Sequence, residues 1–167
     1  MRSIKYYKLV LEKEQIESSI VRLEKRLELN RNMLVFPENE ISEIELSMLI
    51  ENLEKRLKGE RERLIDVLQK MDEESKLPEI KRPNVNVFKK WADLSKEAKS
   101  ILEWTEHVWS GVRQVLVIER GTVYRQFGLN INVTDQIFDE IISYLSSSSN
   151  IAYDIQGEDT VELVEIK

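Results

Sequence analysis

The sequence has no cysteine and a single histidine, His107. The first absence excludes disulfides, thiolate metal sites and thiol nucleophiles together. A lone histidine builds no zinc site, and no serine or cysteine motif stands beside His107, so it is read as structural. No stretch approaches the roughly 18–20 uncharged apolar residues of a membrane span. The first residues, MRSIKYYKLVLEKEQ, mix charge into the apolar positions and lack a secretory core, which makes the expected location cytoplasmic. The phosphate-binding GxxxxGK[ST] and GxGxxG patterns, the zinc-protease HExxH and the nucleophile elbow GxSxG are all missing. Carboxylates are plentiful, but acid–base work needs them in a desolvated cleft, and none is implied. The expectation is a non-enzyme, with no catalytic residue, cofactor or metal.

What the chain has is charge and helical period. Hydrophobic residues make up 41% and charged residues 34% of its 167 positions, a balance that favours extended helices with solvated faces. Leu9, Ile16, Ile20, Leu23, Leu27 and Leu34 follow one another at steps of four and three, apart from gaps at Lys13 and Asn30. Leu46, Ile50, Leu53, Leu57, Leu64, Val67 and Met71 repeat the pattern, broken at Glu60. Such spacing keeps one stripe of a helix toward a partner. The helix formers Glu24, Lys25, Arg26, Glu54, Lys55 and Arg56 lie between the stripes.

Phe36-Pro37 interrupts the period, because proline lacks the N–H and restricts the residue before it. A second helix starts either at a Ser42-x-x-Glu45 capping box or with Pro37 in its first turn. Two arms of similar length on a short turn predict a long antiparallel hairpin over residues 1–75. Ile16, Ile20, Leu23, Leu27, Ile50, Leu53, Leu57 and Leu64 are its candidate assembly residues. A two-helix hairpin buries one seam only. A third helix or another subunit is therefore expected to cover Ile4, Tyr7, Leu11, Ile41, Ile44 and Leu49. An ordinary helical core and an obligate assembly surface both fit this pattern.

Residues 76–87 carry Pro78 and Pro83, show no helical period and read as a linker. Lys81, Arg82, Lys89 and Lys90 make this the one basic stretch, either solvated or in contact with nucleic acid or an acidic partner. Ser95 is a good N-cap for a helix over 95–109, with Glu97 suited to its dipole and Gly111 to its end. Ala98, Ile101, Leu102, Val108 and Trp109 share a face, and Trp91 and Trp104 read as packing anchors. Val115–Ile118 has strand length but also fits an extension of the preceding helix, and Glu119–Thr122 reads as a turn before a second strand that begins at Val123-Tyr124. Thr134 caps a helix that aligns Ile137, Phe138, Ile141, Ile142 and Leu145, with Asp139 and Glu140 on its polar side. Ile151, Tyr153 and Ile155 alternate with Ala152, Asp154 and Gln156, and Gly157–Thr160 turns into Val161–Lys167, which reads as a hairpin. The fold class is mainly α with a small α+β C-terminal module. The expected division is a helical domain over 1–111 and a small mixed domain over 112–167.

Two functional templates fit this order. Val123, Phe127, Gly128 and Leu129, followed by Ile137 and Ile141, resemble a helix-turn-helix with a lengthened turn. The C-terminal hairpin would then be a wing, and the protein a winged-helix DNA-binding regulator dimerised through residues 1–75. Arg113, Arg120 and Arg125 would supply phosphate contacts. The electrostatics oppose it, since the reading helix carries Asp135, Asp139 and Glu140 and no Lys or Arg.

The second template is a family resemblance. The segment GERERLIDVLQKM is similar to the charged helix end of GINS proteins, archaeal and eukaryotic accessory subunits of the replicative helicase. In DLSKEAKSILEWTEHVWSGVRQVLV, the residues Leu94, Ser95, Lys96, Glu97, Ile101, Leu102 and Arg113 match the helix that follows in subunits whose helical domain comes first. Gly121–Phe127, GTVYRQF, resembles the strand of that family's small domain, and 134–146 its next helix. The family's proline before that helix is missing, and the tail after Asn150 is long. The resemblance implies a non-catalytic oligomeric subunit that packs with a sister GINS-type subunit and contacts the MCM helicase and a RecJ-like partner. Any DNA contact would then be weak and would come from Lys81, Arg82, Lys89 and Lys90.

Overall fold

The computed structural model describes residues 3–35, 40–78, 90–125, 128 and 130–166. Its described elements are α1 (Ile4–Val35), α2 (Glu40–Lys76), a 3-10 turn at Trp91–Asp93, α3 (Lys96–Gly111), β1 (Leu116–Glu119), β2 (Val123–Tyr124), β3 (Ile131–Asn132), α4 (Asp135–Ser147), β4 (Ile151–Gln156) and β5 (Thr160–Glu165). The chain is mainly α with a small C-terminal strand module. It divides into two compact units, one of residues 9–76 and one of residues 1–8 with 77–167.

The unit of residues 9–76 is the expected hairpin. Leu23, Leu27, Ile50, Leu53 and Leu57 bury one another, with Ile20 and Leu34 packed alongside. Leu9, Ile16 and Val67 form a second cluster, joined by Ile20, Leu64 and Met71. The eight candidate assembly residues are thus consumed in the hairpin's own seam. The helix α2 begins at Glu40, so Ser42 lies inside its first turn and does not cap it. Pro37 lies outside the described residues.

In the other unit, Ser95 Oγ accepts the Ala98 N–H and starts α3. Thr134 Oγ1 does the same for Ile137 and starts α4. The strands β1, β5 and β4 form an antiparallel sheet in that order, with Ile118 opposite Val161 and Tyr153 opposite Leu163. Gly157, at φ 64°, permits the tight β4–β5 turn. Ala98, Ile101, Leu102 and Trp109 of α3 share one core with Ile137, Phe138, Ile141 and Leu145 of α4 and with Ile118, Val161 and Leu163 of the sheet. The division expected at 111 is therefore corrected, because α3 spends its apolar face on the C-terminal elements. Residues 1–8 also belong to this unit: Ile4 is buried, and Lys8 Nζ reaches Glu162 Oε2 of β5 at 2.6 Å.

Between β1 and α4, Val123 and Tyr124 pair with Asn132 and Ile131 as a two-residue ladder. The first helix of the expected helix-turn-helix is therefore replaced at Val123-Tyr124 by strand. Phe127 and Leu129 lie outside the described residues.

Candidate interaction surfaces

Each candidate surface follows from how the local sequence places its charges. The β1 strand ends at Glu119, and the chain turns through Arg120 and Gly121, whose φ of 81° suits glycine. The Arg120 N–H donates to the Asp159 carbonyl at 2.7 Å, and the Gly121 N–H to the Val133 carbonyl at 2.7 Å. The turn is thus sewn both to the β4–β5 loop and to the start of α4. Its side chain then enters an acidic cluster. Arg120 Nη1 lies 3.0 Å from Asp135 Oδ1, Nη2 lies 3.7 Å from Asp139 Oδ1, and Nε lies 3.7 Å from Asp159 Oδ1. Nη2 also donates to the Glu158 carbonyl at 3.2 Å, and the guanidinium carbon sits 4.5 Å from the Phe138 ring centre. The hydrogen bond that Arg120 donates to Asp135, then the charges of Asp135, Asp139 and Asp159, raise the Arg120 pKa above its ordinary value. Arg120, expected as a phosphate contact, is committed instead to holding β1, α4 and the β4–β5 turn together.

The helix α4 contributes a second internal tie. Glu140 is 4% exposed, which corrects its expected place on the polar side of the helix. Ser95 Oγ donates to Glu140 Oε2 at 2.6 Å, and the Ser95 N–H to Oε1 at 3.3 Å. The carboxylate therefore meets the positive end of α3 at its cap residue. Asp135 and Asp139 are exposed on the same helix, and α4 has no Lys or Arg. What α4 presents to solvent is acidic.

Lys90 and Arg125 are exposed and Arg113 is half-buried. Lys81, Arg82 and Lys89 lie outside the described residues. Trp91 and Trp104 pack against the C-terminal core as anticipated, in ring contact with Tyr144 and Tyr124. The Tyr124 hydroxyl donates to the Val117 carbonyl at 2.8 Å, along the outer edge of β1, and burial raises its pKa. His107 is exposed on α3 and outside the core. Among the described residues, no group of acidic, histidine or cysteine side chains could hold a metal, and no helix is long and apolar enough to cross a membrane.

The hairpin keeps apolar surface outside its seam. Ile44 and Leu49, expected to need cover, are exposed, and so are Val21, Leu29, Met33, Met48, Ile65 and Leu68. Ile4 is buried, Tyr7 and Leu11 are half-buried, and the Ile41 side chain lies outside the described set. On one flank, Arg61 Nη2 meets Glu24 Oε1 at 3.1 Å and Arg31 Nη2 meets Glu54 Oε1 at 2.8 Å. These pairs border an open groove floored by Leu27 and Leu57. In comparisons with known proteins, no family model, curated protein or solved structure matches this chain.

Proposed function

We propose that the protein is a non-catalytic assembly element that works through protein contacts, with the hairpin as its docking module. The observation that carries this reading is the set of large apolar side chains exposed on the hairpin outside its filled seam, Val21, Ile44, Met48, Ile65 and Leu68 among them. Large apolar side chains left outside a filled seam are candidates for association. A place among GINS-type subunits, with a sister subunit, the MCM helicase and a RecJ-like partner, is the narrower form of the proposal and rests on the sequence resemblance. It asks Ile101 and Leu102 to pack back on the hairpin, whereas both are buried with α4 and the sheet.

A second reading, the winged-helix regulator, is favoured by one observation. The sheet order β1-β5-β4, with α3 packed on α4 and a hairpin following α4, is what a wing requires. Against it stand the acidic face of α4 and the internal engagement of Arg120.

Fluorescence anisotropy with a labelled duplex separates the two. The assembly reading expects no appreciable binding at micromolar protein and physiological salt. Nanomolar binding that falls steeply with salt and is lost in Arg125→Ala would overturn it.

A further inference from the structure

We infer that the groove flank of the hairpin docks a second copy of this chain, related by a two-fold axis running along the hairpin. The inference rests on the proposed assembly role and names the partner. The two cross-seam ion pairs fix which residues lie level on that flank: Glu24 with Arg61, and Arg31 with Glu54. Glu28 and Lys58 line the same groove between those levels. Along one direction, α1 therefore presents minus, minus, plus at these three levels, and α2 presents plus, plus, minus, with Glu62 next to Arg61 at the groove's end. Every level is internally opposite in sign, and the order of signs is not a palindrome.

That asymmetry selects the orientation of a partner copy. Two hairpins meeting flank to flank have their two-fold axis either along the helices or across them. An axis along the helices keeps each level in place and sets α1 against α2 of the second copy. Glu24 then faces Arg61, Glu28 faces Lys58 and Arg31 faces Glu54, so these three levels are complementary. An axis across the helices sets α1 against α1 in reverse order, placing Glu28 on Glu28 and Lys58 on Lys58. Like charges directly opposed are unfavourable.

The apolar side chains agree with the first choice. Val21, three residues before Glu24, and Ile65, four after Arg61, continue the same flank at one level, since such offsets return to one helix face. They are 47% and 67% exposed, and Leu68, three residues beyond Ile65, is 43% exposed. With the axis along the helices, Val21 of each copy meets Ile65 of the other. The product is a four-helix bundle whose interface pairs charges at three levels and apolar side chains at one end.

Because the chain lacks cysteine, introduced thiols are the only ones present. The experiment uses the full chain in sedimentation equilibrium, then a short bis-maleimide on mixtures of Glu28→Cys and Lys58→Cys proteins. A dimer is expected at micromolar concentration, with covalent dimers in the mixture and few in either protein alone. Ile65→Glu should raise the dissociation constant at least about tenfold. Glu28→Lys should weaken association, and adding Lys58→Glu should restore it. Melting of each variant shows whether the hairpin itself is intact.

A wild-type chain that stays monomeric overturns the inference. So does efficient cross-linking of Glu28→Cys alone, or a charge reversal without effect in a folded dimer. A monomer that also ignores duplex DNA would remove the second copy and leave the protein-contact reading in place. A dimer that binds duplex tightly would do the reverse.

Discussion

Replacing Phe138 with alanine is expected to cost the C-terminal unit about 3–5 kcal/mol, the range for emptying a buried aromatic position. Phe138 is 2% exposed and lies in the core that joins α3, α4 and the sheet. Two losses coincide there. The cavity forfeits the packing contacts of the ring, and the surrounding elements close over it only in part. The ring is also the platform on which the Arg120 guanidinium rests at 4.5 Å, so its removal loosens the aspartate cluster above. Phe138→Leu keeps most of the volume and should cost clearly less. Chemical denaturation with a near-ultraviolet probe of the tryptophans reads both. A Phe138→Ala loss below about 1 kcal/mol would mean that this core is not the one holding the unit together.

Glu140→Ala is expected to destabilise the same unit by about 2–4 kcal/mol. The substitution leaves the part-buried Ser95 N–H and hydroxyl without the acceptor they have at 3.3 and 2.6 Å. Breaking a buried charged contact from one side costs more than removing it from both, because the abandoned partner stays desolvated. Glu140→Gln should therefore cost less, since the amide oxygen still accepts from Ser95. The double variant Glu140→Ala with Ser95→Ala should lose less than the sum of the singles, a coupling of about 1–3 kcal/mol. Additive losses would show that the two side chains do not act as a pair.

Glu140 also marks where the sequence stopped being readable. The hairpin was legible because its seam repeats over both arms, and a stripe of that length has one economical partner. The caps at Ser95 and Thr134 were legible because a cap is a local hydrogen bond, three residues long. The turn at Gly157 was legible because two alternating runs flank it. Glu140 was not, because its burial depends on Ser95, 45 positions away, and a carboxylate at the border of an apolar stripe reads as solvated. Arg120 failed similarly: its acidic partners come from α4 and from the β4–β5 turn. The face of α3 was recognised correctly, but amphipathicity names no partner. The sequence allowed that face to meet the hairpin or the C-terminal elements, and only the fold assigns it to the latter. The strand at Val123-Tyr124 was read, but its partner Ile131-Asn132 was hidden for another reason. Two residues are too few for any period to show.

The central claim is that α3 belongs to the C-terminal unit and not to the hairpin. Native-state hydrogen exchange on the full chain, with and without Phe138→Ala, tests it most directly. In the unaltered protein the amides of Leu102 and Thr105 should open with the same free energy as those of Ile141 and Leu163. In the variant all four should lose protection together, while Leu53 and Leu57 of the hairpin keep theirs. If the α3 amides instead hold their protection in Phe138→Ala and follow Leu53 and Leu57, α3 is part of the hairpin and the account is wrong.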